Sequence, residues 1–143
     1  MDTTPIVVSA YVHAPLARVW EYYTASEHVT QWNYASDDWY CPTATSDFVV
    51  GGHFSYTMAA KDGSASFDFG GTFTEIIPQE RIAYTIDDDG RKVFVTFAQE
   101  GENVCVTVVF EPEQINSHQL QQGGWQAILD NFTQYIQTQI LNI

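Results

Sequence analysis

The stretch WNYASDDWYCP, Trp32 to Pro42, gathers two tryptophans, two tyrosines, two adjacent aspartates and a thiol. Residues of these types admit three chemistries. A thiol beside a base would be a nucleophile, carboxylates with His or Cys would hold a metal, and clustered rings would form the lip of a binding cavity. Nucleophilic catalysis fits poorly, because the acidic surroundings of Cys41 raise a thiol's pKa and oppose the thiolate. A metal site needs converging ligands, whereas His13, His28, His53 and His118 are scattered without ligand-like spacing. No metal, cofactor or catalytic residue set is therefore expected. In the aromatic reading, Trp32, Trp39 and Tyr40 form a lip on which a flat or apolar ligand stacks, and Asp37 and Asp38 face water or orient a polar ligand group. In the competing reading the rings plug one end of the core and the aspartates bond to loop amides.

Positioning such a lip requires a frame, and the hydrophobic period supplies one. IVVSAYV (6–12) reads as a strand, being β-branched and aromatic. In APLARVWEYYTA, Leu16, Val19, Trp20 and Tyr23 recur at helical spacing behind Pro15. A second short helix, SEHVTQW, opens at Ser26 as its N-cap and ends at Trp32, so Asn33 to Pro42 would run as a loop into the next strand. Between residues 44 and 110 the period becomes two, with turns at KDG, IPQE, DDDG and EGEN. These segments make an antiparallel meander. From Asn116 or Ser117 onward, Leu120, Trp125, Leu129, Phe132, Ile136 and Ile140 form one stripe of a long amphipathic helix. Within it Gly123 and Gly124 each cost about 1 kcal/mol relative to alanine, so they mark a bend or a close backbone approach.

One strand, two short helices, a long antiparallel sheet and a closing helix give an α+β arrangement with the helix against one sheet face. Its cavity side would carry Phe54, Tyr56 and Met58, then Phe67, Phe69 and Phe73, and then Tyr84. The long helix would add Trp125, Leu129 and Phe132. Glu75 shares the parity of Phe73, so strict alternation turns it inward, where burial would raise its pKa; otherwise it turns to solvent or meets Arg81 across the turn. Asp38, His53 and Glu75 are thus the candidate polar contacts. Arg18, Lys61, Arg81, Arg91 and Lys92 fall on the first helix or at hairpin turns, which predicts a cavity without a fixed cation and a preference for neutral ligands over acids.

Composition narrows the partners. The chain of 143 residues suits one domain, 1–143, with a real core. Eighteen acidic residues against five basic ones, a formal charge of −13, oppose binding to nucleic acid or an anionic membrane. No apolar run approaches the roughly 20 residues needed to span a bilayer, and the opening MDTTPIVVSAYVHAP lacks a leader pattern, so a cytoplasmic place is expected. Cys41 and Cys105 are too few for a disulfide framework and read as free thiols.

Four strings in order, APLARVWEYYTASEHVTQW, the pair Gly51 and Gly52, GTFTEIIPQERIAYT and GWQAILDNFTQYI, resemble the activator of heat-shock protein 90 ATPase homologue-like family, and the element order resembles the START-like (SRPBCC) helix-grip fold. Where relatives often carry two consecutive tryptophans after the second helix, this chain has Trp32 followed by Asn33. The resemblance implies a curved sheet wrapped around the long helix, with an apolar ligand held between them. Binding of a small hydrophobic molecule is the function it favours. A cyclase- or hydrolase-type enzyme using the same cavity is an alternative, and a chaperone-linked protein partner is another.

Overall fold

Alternation is clearest at Asn103–Phe110, where Val104, Val106, Val108 and Phe110 are buried and their neighbours are not. β-Branched residues repeated at period two can bury one face of a strand while the other meets solvent. The same logic builds the whole sheet. In the computed structural model, which describes residues 3–141, the order is β1 (Ile6–Val12), α1 (Leu16–Thr24), α2 (Ser26–Trp32), β2 (Trp39–Ser46), β3 (His53–Ala60), β4 (Ser66–Ile77), β5 (Arg81–Ile86), β6 (Lys92–Glu100), β7 (Asn103–Phe110) and α3 (His118–Leu141). The seven strands form one curled antiparallel sheet, ordered β1-β7-β6-β5-β4-β3-β2. β1 and β2 are its edges, so the two short helices carry the chain from one edge to the other.

Several local expectations need correction. β2 begins at Trp39, so the second half of WNYASDDWYCP is an edge strand and not a loop. The register shifts between Tyr40 and Thr43, and Pro42 sits in that irregularity, where no ladder N–H is required. Ser26 is the first residue of α2; Ala25 occupies the cap position and offers no side-chain bond. Ser117 does cap α3, its Oγ accepting from the Leu120 N–H at 3.1 Å. α3 runs through Gly123 and Gly124, and a Cβ built at either would meet nothing within 4 Å, so no close approach explains them. Leu120 is 63% exposed and stands outside the buried stripe. The side chain of Ile140 lies outside the described residues.

α3 lies along β1 more than over the middle of the sheet. As an edge strand, β1 presents backbone groups that β7 does not use, and side-chain amides of α3 take them up. Gln122 Nε2 donates to Val7 O at 3.1 Å. Gln126 Nε2 donates to Ser9 O at 2.9 Å, while its Oε1 accepts from Ser9 N at 3.3 Å. Gln137 repeats the pairing on His13, at 2.9 and 3.1 Å. An amide side chain carries one acceptor and two donors, so it can imitate a neighbouring strand. Separations of four and eleven residues keep all three glutamines on one helix face.

At the other end α3 packs on the short helices. Phe132, fully buried, meets the rings of Tyr23 and Trp32 at 5.2 and 5.1 Å. Trp32 Nε1 donates to Tyr22 O at 3.0 Å, and His28 stacks on Tyr22 while facing the Tyr135 hydroxyl at 2.8 Å. Two outcomes follow from this packing. Phe132→Ala is expected to lower the unfolding free energy by about 3 to 5 kcal/mol in chemical denaturation, because the vacated volume is enclosed on all sides. A loss below 1 kcal/mol would contradict the packing. Gln126→Ala is expected to cost about 1 kcal/mol and to accelerate amide exchange at Ser9 while leaving Val8 protected. Unchanged exchange at Ser9 would show that the glutamine does not hold the edge.

Candidate functional site

Because α3 follows the sheet edge, its N-terminal half stands off from β3, β4 and β5, and the gap is a cavity of about 460 Å³. Trp125, Ile128 and Leu129 line it from the helix; Phe54, Tyr56 and Met58 from β3; Phe67, Phe69 and Phe73 from β4; Ile82 and Tyr84 from β5. Ring contacts stiffen this wall. Phe54 lies 4.9 Å from Tyr56, 4.9 Å from Tyr84 and 5.1 Å from Phe73. Trp125 meets Phe69 edge-on at 5.9 Å and stacks on Phe110 at 4.0 Å. Such a surface suits a flat or apolar body.

Its polar groups are few. Tyr23, Tyr56 and Tyr84 line the cavity, and burial pushes all three phenols well above their ordinary pKa, with neighbouring tyrosines adding to the rise at Tyr56 and Tyr84. All three therefore stay protonated across the physiological range. None of these hydroxyls has a hydrogen-bond partner among the described residues. Asn33 also lines the cavity, is only 6% exposed, and its Nδ2 is likewise without a hydrogen-bond partner among the described residues. It lies beside the Cys41 thiol, near enough to pull the thiol's pKa down against the stronger upward push of burial, yet not aligned to bond with it. Gln121, by contrast, is fully used. Its amide donates to Glu113 O and Asn116 O and accepts from Glu113 N, pinning the loop that leads into α3.

The expectation of a cavity without a fixed cation fails. Arg91 lines the cavity, since the turn between β5 and β6 folds its side chain back over the end of the sheet. Its charge is committed, however. Nε lies 2.6 Å from Asp89 Oδ2, and Nη1 donates to Glu111 O at 3.2 Å. Glu113 stands on the same rim, its carboxyl held below the usual range first by the Ile115 N–H, then by Asn116 and the Arg91 charge.

Several residues expected at the cavity lie elsewhere, each for a local reason. Tyr40 is 42% exposed, because it points to the face of β2 opposite Trp39 and Cys41. Phe132 lies deeper, closing the core beyond the cavity end. Asp38 is exposed; its Oδ1 takes the Ser36 hydroxyl and its carbonyl the Lys61 N–H. His53 occupies the outer face, opposite in parity to Phe54, and bonds Asp87. Glu75 is displaced by a bulge: Phe73 pairs with Tyr84 and Glu75 with Ala83, leaving Thr74 unmatched, so the parity flips after Phe73. Glu75 then meets Arg81, whose Nε is 2.5 Å from Oε1 as an ion pair without an aligned hydrogen bond. Arg81 also lies over the Phe94 ring at 5.0 Å. Trp32 and Trp39 do reach the cavity, but Trp32 is 4% exposed and serves the core as much as the rim. Cys41 is buried, and desolvation, not the acidic neighbours expected from sequence, raises its pKa.

Among the cavity residues that sequence reasoning did not predict are Tyr23, Asn33, Glu113 and Gly124. A helix glycine with open space beside it could have pointed to Gly124.

Comparison with known proteins agrees with this geometry. Residues 13–137 match the family described as Activator of Hsp90 ATPase homolog 1-like protein. The AHSA1-like protein from Aeromonas hydrophila is 40% identical, with a TM-score of 0.90 over 96% of this chain and 95% of that one. A protein from Cytophaga hutchinsonii is 42% identical, with a TM-score of 0.80 over 96% and 95%. A protein from Nitrosomonas europaea, 15% identical, shares the fold at a TM-score of 0.83 over 99% of both chains. No curated protein matches the sequence. The chain belongs to the Activator of Hsp90 ATPase homologue 1-like family, within the START-like group of helix-grip folds.

Proposed function

We propose that the protein binds a small, neutral, largely apolar molecule in the space between α3 and the sheet. The observation that carries this reading is the cavity of about 460 Å³ walled by aromatic rings. That volume falls within the range of small-molecule sites. An apolar void of this size is a standing loss of dispersion contacts, and a bound molecule restores them, stabilising the fold by linkage. Neutrality is supported by the commitment of Arg91 to Asp89 and by the presence of Glu113, which leave no surplus positive charge to receive an acid. The formal charge of −13 works in the same direction. Binding is favoured over turnover because Glu75 and His53, the titratable groups that chemistry would call on, are paired outside the cavity with Arg81 and Asp87. A reducing compartment such as the cytoplasm suits the two free thiols. No helix among the described residues is long and apolar enough to cross a membrane.

Gly124 gives this reading a test that separates binding from folding. Both helix glycines have open space where a side chain would be, but only Gly124 lines the cavity, and Gly123 faces solvent. Either substitution removes a helix-weakening glycine, so Gly123→Leu and Gly124→Leu are each expected to hold or raise the melting temperature. Native mass spectrometry of protein purified from its own host, followed by denaturing extraction, should recover an uncharged apolar compound from the parent chain and from Gly123→Leu, and little from Gly124→Leu. Equal recovery from both variants would move the site away from the cavity, and recovery of a carboxylic acid or phosphate would contradict neutrality.

A further inference from the structure

Two adjacent glycines inside a helix call for a reason, because each weakens the helix relative to alanine. Gly123 and Gly124 keep helical backbone, neither has a positive φ, and a Cβ built at either meets nothing within 4 Å. Close packing is therefore not the reason. Flexion is what remains, since pairs of small residues are where helices bend.

The chain ahead of the pair is built as one piece. Gln121, buried, holds the Glu113 backbone at both N and O and takes the Asn116 carbonyl as well. The Glu113 carboxylate accepts from the Ile115 and Asn116 N–H groups, and Ser117 caps the first turn at Leu120. These bonds tie residues 113–121 to one another. Glu113, Asn116, Leu120 and Gln121 all line the cavity, yet the large apolar side chains of this piece lie outside, with Ile115 92% and Leu120 63% exposed. Gln122 fastens it to β1 through one bond to Val7 O, whereas Gln126, beyond the glycines, makes two to Ser9. On the other side Glu111 is fixed by the Lys92 N–H and by Arg91, and Pro112 is buried.

We propose that residues 113–122 form a strap at the cavity rim that swings about Gly123 and Gly124 to admit and release the bound molecule, with the Gln122 bond to Val7 as its latch. A piece knotted by its own bonds moves as a unit when its ends flex. The glycine pair supplies that flexion without disturbing Trp125, whose stack on Phe110 holds the rest of α3 in place. Little apolar contact is lost when the strap lifts, which puts it among the low-stability segments that open locally. The inference rests on the reading of the cavity as a binding site and adds how that site is entered.

The test follows N-phenyl-1-naphthylamine, a neutral fluorescent probe, by stopped flow on the full chain. Replacing both glycines, Gly123→Ala with Gly124→Ala, stiffens the hinge and is expected to slow association and release alike by about tenfold, with the Kd held within about twofold. Gly123→Ala alone, on the solvent side, should slow both rates by less. Gln122→Ala removes the latch, so both rates should rise about threefold. Rates unchanged in the double variant would overturn the strap while the binding reading stands. A weaker Kd with association unchanged would show that Ala at 124 only obstructs the cavity, and would also overturn it. Failure of the probe to bind the parent chain would overturn the binding reading and this inference with it.

Discussion

Side-chain amides on one helix face hold the long C-terminal helix against the edge of the sheet, and the remaining architecture depends on that attachment. A seven-stranded sheet has two edges, and β1 would otherwise expose a row of unpaired peptide groups, a known route to aggregation. Gln122, Gln126 and Gln137 cover that row with bonds that copy a strand ladder. Glutamine is long enough to reach from a helix to the neighbouring backbone and presents both donor and acceptor. Hydrophobic burial alone would draw α3 toward the centre of the concave face, since apolar contact is non-directional. Directional bonds at the edge fix where it stops.

The cavity follows from that position. Trp125 bridges from helix to sheet by stacking on Phe110 and touching Phe69, while Ile128, only partly buried, lines the gap. Phe132, one helical turn on, is packed by Tyr23 and Trp32, so the gap closes there. One helix therefore has a structural end, rich in ring contacts, and an open end where Gly124 leaves room. The loop before α3 belongs to the open end. Gln121 and Glu113 spend their polar groups on its backbone, giving the rim a defined shape. The gap costs stability that a close-packed core would have kept, which is reasonable only where occupancy recovers it.

Much of the frame was legible in sequence because it rests on periodicity. The alternation in 103–110 and the stripe of Leu129, Phe132 and Ile136 announce a strand and a helix whatever their neighbours do. What escaped depended on single-residue shifts or on tertiary placement. The bulge at Thr74 turns Glu75 outward, and period-two counting carries no mark of where an extra residue falls. Pro42 suggested a loop because a proline cannot join a central ladder, yet an edge strand with an irregular register accepts it. Arg91 looked like a solvated turn residue, and only the curl of the sheet brings it over the cavity. Asn33 follows the tryptophan at the end of α2, and its burial depends on β2 and α3 packing around it.

Attachment at the sheet edge holds open the space between α3 and the sheet. A crystal structure under xenon pressure addresses that most directly, because xenon enters apolar cavities and is located by its scattering. Xenon is expected between Leu129 and Trp125 on one side and Phe54 and Tyr84 on the other, with Gln126 and Gln137 bonded to β1. A structure with no xenon there, and with Leu129 packed directly on Phe54, would contradict the account.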